Sequence, residues 1–399
     1  MTEEEEAKVK DESGGGALNA VDDSLPDALA VDDDSMNENE VLGDIEGDIE
    51  RIRNHSTVRT VLRRSDIDTV NSTRTLCDSD IEYLMIHGRR YCGEYYMPID
   101  EAEQSRGQML HGVFRDIFNY RLTSVPLHNP KNILDIGTGT GEWSIEMGEQ
   151  YPEAEVIGTD IARIQDTAVP ENVYFQIDDA EHEDGWTFSA EFDLVHLRCM
   201  QGAFRSWQRV YSEAFKALAP GGYLEVIDFD NHTRILSYFS DDPGVAAWLA
   251  AVNEASKRSG RPRGDAHLNP ELLREIGFVD VSVSEKSIPT GAWPMDPYEQ
   301  NLGKHFLLTM FHGVEAMALR PLTENMDWSI EDVAKSIKLV EDRLWAVALD
   351  KEKSKGMGFI VKTLVGMKPL EDDIPEVDVP DEESIKTLTS LNGDIYIDK

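Results

Sequence analysis

From about residue 130 the chain alternates short apolar, β-branched runs with stretches whose apolar positions recur at helical spacing, which predicts strands and helices in turn. Asn132 to Gly137 reads as a strand entering a glycine cluster, and Gly141 to Tyr151 follows as a helix through Trp143, Ile145 and Met147. Glu155 to Asp160, Val173 to Asp178 and Phe192 to Arg198 are the second, third and fourth strands, each closing on polar residues. Arg205 to Ala219 is a helix stopped by Pro220-Gly221-Gly222, and Tyr223 to Phe229 is the fifth strand. Helices at 243–259 and 269–276 come next, then an alternating strand at 278–288, two helices at 296–320 and 328–350, and an apolar strand from Gly358 to Val365. Upstream, residues 78–120 read as helices around a turn at Gly88 to Pro98. Strands that alternate with helices in this way specify an α/β parallel sheet.

Charge separates this domain from its flanks. Residues 1–50 hold 18 Asp or Glu against 2 Lys, and residues 369–399 hold 10 against 2, so the two ends supply most of the formal net charge of -39. Segments such as Glu3 to Glu6 and Asp32 to Asp34 have too little apolar surface to offset the entropy of ordering, and both tails are expected to be disordered. Between tail and domain, Arg51, Arg53, Arg59, Arg63 and Arg64 form a mildly basic stretch, either a short helix or a weak nuclear-import signal. The overall acidity argues against direct binding of nucleic-acid phosphates. Cys77, Cys92 and Cys199 show no disulfide or metal spacing, and neither a secretory leader nor a membrane-length apolar run is present, so the expected compartment is cytosol or nucleus.

The strongest chemical signal is Asp135-Ile136-Gly137-Thr138-Gly139-Thr140-Gly141, with Asp160 ending the next strand. Glycines there let the backbone turn sharply and approach a ligand, and the strand-terminal acid suits the two hydroxyls of a ribose. A dinucleotide fingerprint requires its third glycine at position 142, where Glu142 stands, which disfavours NAD. The acid before the loop repels phosphate and attracts an ammonium or sulfonium.

Asp135 to Gly141 resembles motif I of the class I S-adenosylmethionine (SAM)-dependent methyltransferases. Gly158 to Ile161, Ile177 to Ala180, Phe192 to Arg198 and Leu218 to Glu225 continue that pattern in order. A narrower resemblance, to the fungal LaeA-like methyltransferases, is carried by Gly88 to Tyr91 with Met97 to Glu101, by Gly158 to Ile161 with Ile164-Gln165, by His196 to Arg198, and by Pro289 to Asp296. Cys92 departs from it, since the family often has His after the Tyr.

The resemblance implies a Rossmann-like, mostly parallel sheet of about seven strands, with an N-terminal helical cap and inserted helices before the last strand. The implied organisation is an acidic region at 1–74, a methyltransferase domain at 75–368 with its core at 130–230 and inserted helices at 296–350, and an acidic tail at 369–399. It implies SAM as cofactor. Gly137, Thr138, Gly139 and Gly141 pass its methionine part, Asp135 lies near its amino group, Asp160 holds the ribose and Ile161 faces the adenine. Asp179 accepts from the exocyclic amine beside the Ala180 backbone, and Asp178 is the alternative for that place. Tyr91 either closes over the cofactor or packs between helix and sheet.

On the acceptor side, His196 and His232 are the candidate bases, His196 also bordering the cofactor. Arg198 either orients an acidic acceptor or pairs with Glu225 or Asp228, two acids whose spacing of three points them to opposite faces. Trp293 is a cavity wall or a core plug. Phe306, Met310 and Phe311 are the apolar residues expected to line a lid. His305 and His312 are seven apart, which is no helical metal pair, so no metal is expected. The expected function is methyl transfer to an O, N or C nucleophile of a small secondary metabolite. The alternative is a LaeA-like nuclear regulator acting on or through protein partners, and the third reading is a pseudoenzyme scaffold, against which the intact glycine loop argues.

Overall fold

The structure is a computed structural model that describes residues 81–230 and 233–371. The acidic segments at 1–50 and 372–399, the stretch from Arg51 to Arg64, Cys77 and His232 lie outside the described residues. A seven-stranded sheet forms the centre. Strands β3 (Asn132–Ile136), β4 (Glu155–Asp160), β5 (Val173–Ile177), β6 (Phe192–Arg198) and β7 (Leu218–Phe229) run parallel, while β9 (Gly358–Met367) lies antiparallel between β7 and the edge strand β8 (Val279–Pro289). The spatial order is β5-β4-β3-β6-β7-β9-β8. The central residues of β3, β6 and β7 are buried because both faces of the sheet are covered.

On one face, helices α3 (Trp207–Ala217) and α5 (Pro270–Ile276) press Val210, Tyr211, Ala214 and Leu273 onto Leu197, Leu224 and Val226. On the other, α1 (Glu101–Ile117) lays Leu110, Val113, Phe114 and Ile117 against Ile227, Phe359 and Val361. The long helix α6 (Pro297–Asn325) joins that layer through Phe306, Leu307 and Phe311. Its C-terminal half packs with α4 (Pro243–Arg258) and α7 (Ile330–Ala348) in a second, wholly helical core of Trp248, Leu249, Val252, Val314, Leu322 and Val333. The remaining sheet helix, α2 (Glu142–Gln150), follows the glycine loop.

Two sequence readings are corrected. Residues 81–100 are not helical: β1 (Tyr83–Ile86) and β2 (Arg89–Cys92) form an antiparallel hairpin, and the helix spans 101–117. The turn is His87-Gly88, with φ of 49° and 82°, the double left-handed geometry of a type I′ hairpin turn. Pro220-Gly221-Gly222 does not precede the fifth strand but lies within it, as an irregularity that carries the partner register from Phe192 to Leu194.

The inserted helices are seated by a close backbone contact. Gly291 N donates to Gly303 O at 3.0 Å, and a Cβ on Gly303 would stand 2.3 Å from Gly291 O. In a free helix Gly→Ala gains about 1 kcal/mol, whereas overpacking against a fixed backbone costs about 1–3 kcal/mol or more. The clash is with main chain, so the second effect wins. Gly303→Ala is expected to destabilise by about 1–2 kcal/mol in urea denaturation; a stabilised variant would show that the seating of α6 on the 291 loop is loose.

Candidate functional site

The loop from β3 to α2 is left-handed at three alternate residues, Gly137, Gly139 and Gly141, with φ of 71°, 61° and 95°. The three serve different ends. A Cβ on Gly137 would meet Met200 Sδ at 2.4 Å and one on Gly141 the Phe175 ring at 2.3 Å, whereas one on Gly139 would meet nothing within 4 Å. Gly137 and Gly141 are thus enforced by packing, and Gly139 presents bare backbone to open space. Gly137 N and Thr138 N both donate to Thr159 O at 2.9 Å, and Gln165 Nε2 donates to Gly139 O at 2.8 Å. Asp160 accepts from Gly139 N at 2.9 Å and Ala162 N at 3.0 Å. Burial, with the nearby charge of Asp135, raises the Asp160 carboxyl to about 6 against the opposing pull of those amides.

Beneath the loop, the β3–β6 register sets Asp135 opposite His196. Asp135 Oδ1 lies 2.8 Å from His196 Nδ1 and Oδ2 accepts from Ser144 Oγ at 2.9 Å, while the Trp143 ring stacks on His196 at 3.8 Å. Burial raises the Asp135 carboxyl, but the His196 hydrogen bond and charge, with Thr138, outweigh it and hold it below its ordinary value. An ionised carboxylate only accepts, so Nδ1 carries a proton, and Nε2 is buried with no hydrogen-bond partner among the described residues.

These residues surround a cavity of about 540 Å³. Asp135, Gly137, Thr138, Gly139, Asp160, Ile161, Asp178, Asp179, Ala180 and His196 all line it, and Gly141 closes the loop behind them as N-cap of α2. Eight carboxylates against three guanidinium groups border it, which suits a cationic ligand. Tyr91 does not line it. Strand alternation turns Tyr91 inward beneath the Arg320 guanidinium, 5.2 Å from its ring, and gives the cavity to Cys92, whose thiol donates to Ile161 O at 3.1 Å.

Arg198 also borders this cavity, but pairs with neither Glu225 nor Asp228. Its Nη2 donates to His111 Nδ1 at 2.9 Å and its guanidinium lies 4.9 Å from the Phe114 ring. Burial, then repulsion from Arg198 and Arg115, lowers His111 to about 3, which keeps it a neutral acceptor. Glu225 accepts from Ser124 N at 2.8 Å on one face and Asp228 meets His267 at 3.2 Å on the other, as their odd spacing requires.

A second, mainly apolar chamber of about 180 Å³ opens beside the first. Met97, Arg106, Leu110 and Cys199 belong to both walls. Phe306 and Met310 line it from α6; Phe311 does not, its ring turning to Trp345 at 4.4 Å, and Trp293 is occupied by core packing and a hydrogen bond to Met357 O at 2.8 Å. Arg106 is forked on Glu103 at 2.9 and 2.6 Å, and burial pushes the Cys199 thiol up to about 12, too high for a nucleophilic thiolate. Sequence reasoning missed Tyr96, Arg106, Gln201 and Arg263 in this chamber. No motif marks them, because they converge from four separate segments. Among the described residues, no cluster of His, Cys, Asp or Glu could hold a metal ion, and no helix is long and apolar enough to cross a membrane.

Comparison with known proteins agrees with this geometry. The family described as "Methyltransferase domain" matches residues 109–282. Methyltransferase pytC of Aspergillus terreus is 35% identical over 279 residues, covering 67% of this chain and 84% of that protein. Secondary metabolism regulator LAE1 of Cochliobolus heterostrophus is 33% identical over 251 residues, 61% of this chain and 81% of that protein. A solved phosphoethanolamine N-methyltransferase 2 from Haemonchus contortus in complex with SAM aligns at a TM-score of 0.36 and 17% identity, over 66% of this chain and 52% of that one, so membership rests on the sequence relatives. With a relative this similar spanning most of both proteins, the chain belongs to the LaeA-like class I methyltransferases, enzymes that take their methyl group from SAM.

Proposed function

We propose that the glycine-loop cavity holds SAM and that the adjoining chamber seats the acceptor, a small and largely apolar metabolite. The observation that carries this reading is the shared wall of Met97, Arg106, Leu110 and Cys199: a polar, acid-rich cavity and an apolar one meet along it. SAM supplies an activated methyl group, so the protein's task is to align a nucleophile and exclude water. In this assignment Gly139 lets the methionine portion approach the backbone, Asp160 accepts from the ribose hydroxyls, and Ile161, Asp179 and Ala180 border the adenine. Asp135, held in place by His196, presents negative potential to the ammonium group. His196 lines the cofactor cavity and not the chamber, so a base for the acceptor is better sought in Asp228, which borders the chamber and is backed by His267 at 3.2 Å. An apolar chamber favours a metabolite over a basic protein side chain as acceptor, which separates this reading from a regulator that methylates a protein.

Ribose hydroxyls donate to the ionised form of Asp160. That carboxyl titrates near 6 in the free protein, so protons compete with SAM as pH falls through 6. Calorimetric titration is expected to give constant affinity above pH 7 and a loss approaching about ten-fold per pH unit below 6, with that step absent in Asp160→Asn. Asp160→Ala is expected to weaken SAM by about 1.5–3 kcal/mol at pH 8. Unchanged affinity in a folded Asp160→Ala protein would remove Asp160 from the ribose.

For the chamber, Met310→Trp adds bulk at a half-buried wall position distant from the glycine loop. Using methyl-labelled SAM and the low-molecular-mass fraction of a fungal extract, wild-type protein is expected to transfer label to small molecules. Met310→Trp is expected to lose that transfer while binding SAM within about two-fold of wild type. Undiminished labelling by the variant, or label entering protein only, would move the acceptor site elsewhere.

A further inference from the structure

The arginines other than Arg263 in and around the two cavities have strong acceptors, Arg198 at the His111 ring nitrogen and the rest at oxygen. Arg106 is forked on Glu103, Arg261 donates to Glu181 at 2.9 Å, and Arg320 donates to Glu324, Gly93 O and Tyr95 O at 2.8 to 2.9 Å. Arg263 is different. It lines the apolar chamber, and its Nε and Nη1 are buried with no hydrogen-bond partner. Among the described residues, the one hydrogen bond from its guanidinium runs from Nη2 to Met317 Sδ at 3.0 Å, and a thioether is a weak acceptor. The head also lies over the Tyr96 ring, 5.4 Å from its centroid.

Arg263 is held in this position. Its backbone N donates to Ser256 Oγ at 3.1 Å, and its Cγ packs so close to Gly202 that a Cβ there would stand 3.0 Å away. Other charges face the chamber from neighbouring elements: Arg106 is paired with Glu103, while Asp228 Oδ1 accepts from the amide of Phe229 at 2.8 Å and its Oδ2, 3.2 Å from His267 Nε2, has no hydrogen-bond partner among the described residues. No carboxylate among the described residues lies within ion-pair distance of Arg263. A guanidinium cannot shed its proton to escape burial, so unsatisfied N–H groups held against an apolar wall are stable only as part of a site that an acceptor completes.

We infer that the acceptor is an apolar molecule bearing an oxyanion, a carboxylate or an acidic enolate, and that Arg263 binds that anion and so determines specificity. The inference rests on the reading of the chamber as the acceptor site. The anion accepts from Nε and Nη1 while its carbon body lies along Phe306, Met310, Leu249 and Phe359. An equally apolar but neutral molecule fills the same space and leaves the two N–H groups unanswered. Discrimination therefore comes from the guanidinium and affinity for the body from the walls.

The test uses the full chain saturated with S-adenosylhomocysteine and two probes of one shape, 2-naphthoate and 2-naphthamide, in calorimetric titration. Wild-type protein is expected to bind the anion about ten-fold or more tighter than the amide. Arg263→Met is expected to bring the anion to the level of the amide, leaving the amide and S-adenosylhomocysteine within about two-fold of wild type. Arg263→Lys, which keeps a cation, is expected to retain part of the preference. Met310→Trp should exclude both probes. Equal binding of the two probes by wild type overturns the inference while the chamber stands, and so does a preference for the anion that survives Arg263→Met. Should Arg263→Met fail to fold, the wild-type comparison and Arg263→Lys still decide it. Absence of binding by either probe, or binding indifferent to Met310→Trp, removes the chamber as the acceptor site and the role of Arg263 with it.

Discussion

Asp135 is a carboxylate 3% exposed at the centre of a sheet, and burying an ionised acid is tolerable only when its oxygens are answered. That requirement organises everything above it. His196 must stand opposite on β6, which fixes the β3–β6 register; Ser144 must reach back from α2, which fixes where the helix starts. Trp143, next along α2, then falls on the His196 ring. Between these fixed points the chain has only Gly137 to Gly141 in which to reverse, and left-handed glycines are the residues that make so short a reversal without strain. The exposed backbone of Gly139 is thus a consequence of how one buried acid is satisfied.

The acceptor side is built on different physics. Its walls are side chains of α1, α4, α6 and α7 with the ends of β7 and β9, elements joined by apolar contact rather than by a hydrogen-bonded ladder. Apolar packing tolerates exchange of one side chain for another of similar volume far better than a backbone ladder tolerates a shift of register. Met317 illustrates the coupling between the two kinds of contact, packing in the helical core while its sulfur takes a hydrogen bond from the Arg263 guanidinium.

Legibility in the sequence followed the range of the interactions. β4 and β6 end where the pattern of apolar runs ends, because each is bounded by local turn chemistry and flanked by covered neighbours. The hairpin at 83–92 escapes the sequence pattern because its two strands are four residues each, too short for a period to emerge, and His87 in a left-handed conformation leaves no mark beyond the glycine that follows it. Tyr91 was separable from Cys92 only by strand alternation, which a helical reading of the same segment erases. Arg198 was assigned acids on the neighbouring strand, whereas its partner, His111, comes from a helix 87 residues upstream. Phe306, Met310 and Phe311 are equivalent as letters; rotation about the α6 axis sends two to the chamber and one to Trp345.

Arg263 shows why the acceptor side is the less legible half. A motif is visible when one short segment supplies both the bend and the chemistry, as Asp135 to Gly141 does. The chamber's polar groups come from the turn after the hairpin, α1, α6, the α4–α5 connection and the ends of β6 and β7, and each alone is an ordinary polar residue. Their meaning lies in which of them is left without a partner once the chain has folded. For a half-buried cation that property is sharp, since the guanidinium groups of Arg106, Arg261 and Arg320 do find carboxylates or carbonyls. The same folding that satisfies Asp135 completely leaves Arg263 incomplete. Under the proposed reading this is the difference between a group that holds the fold and a group that waits for a ligand.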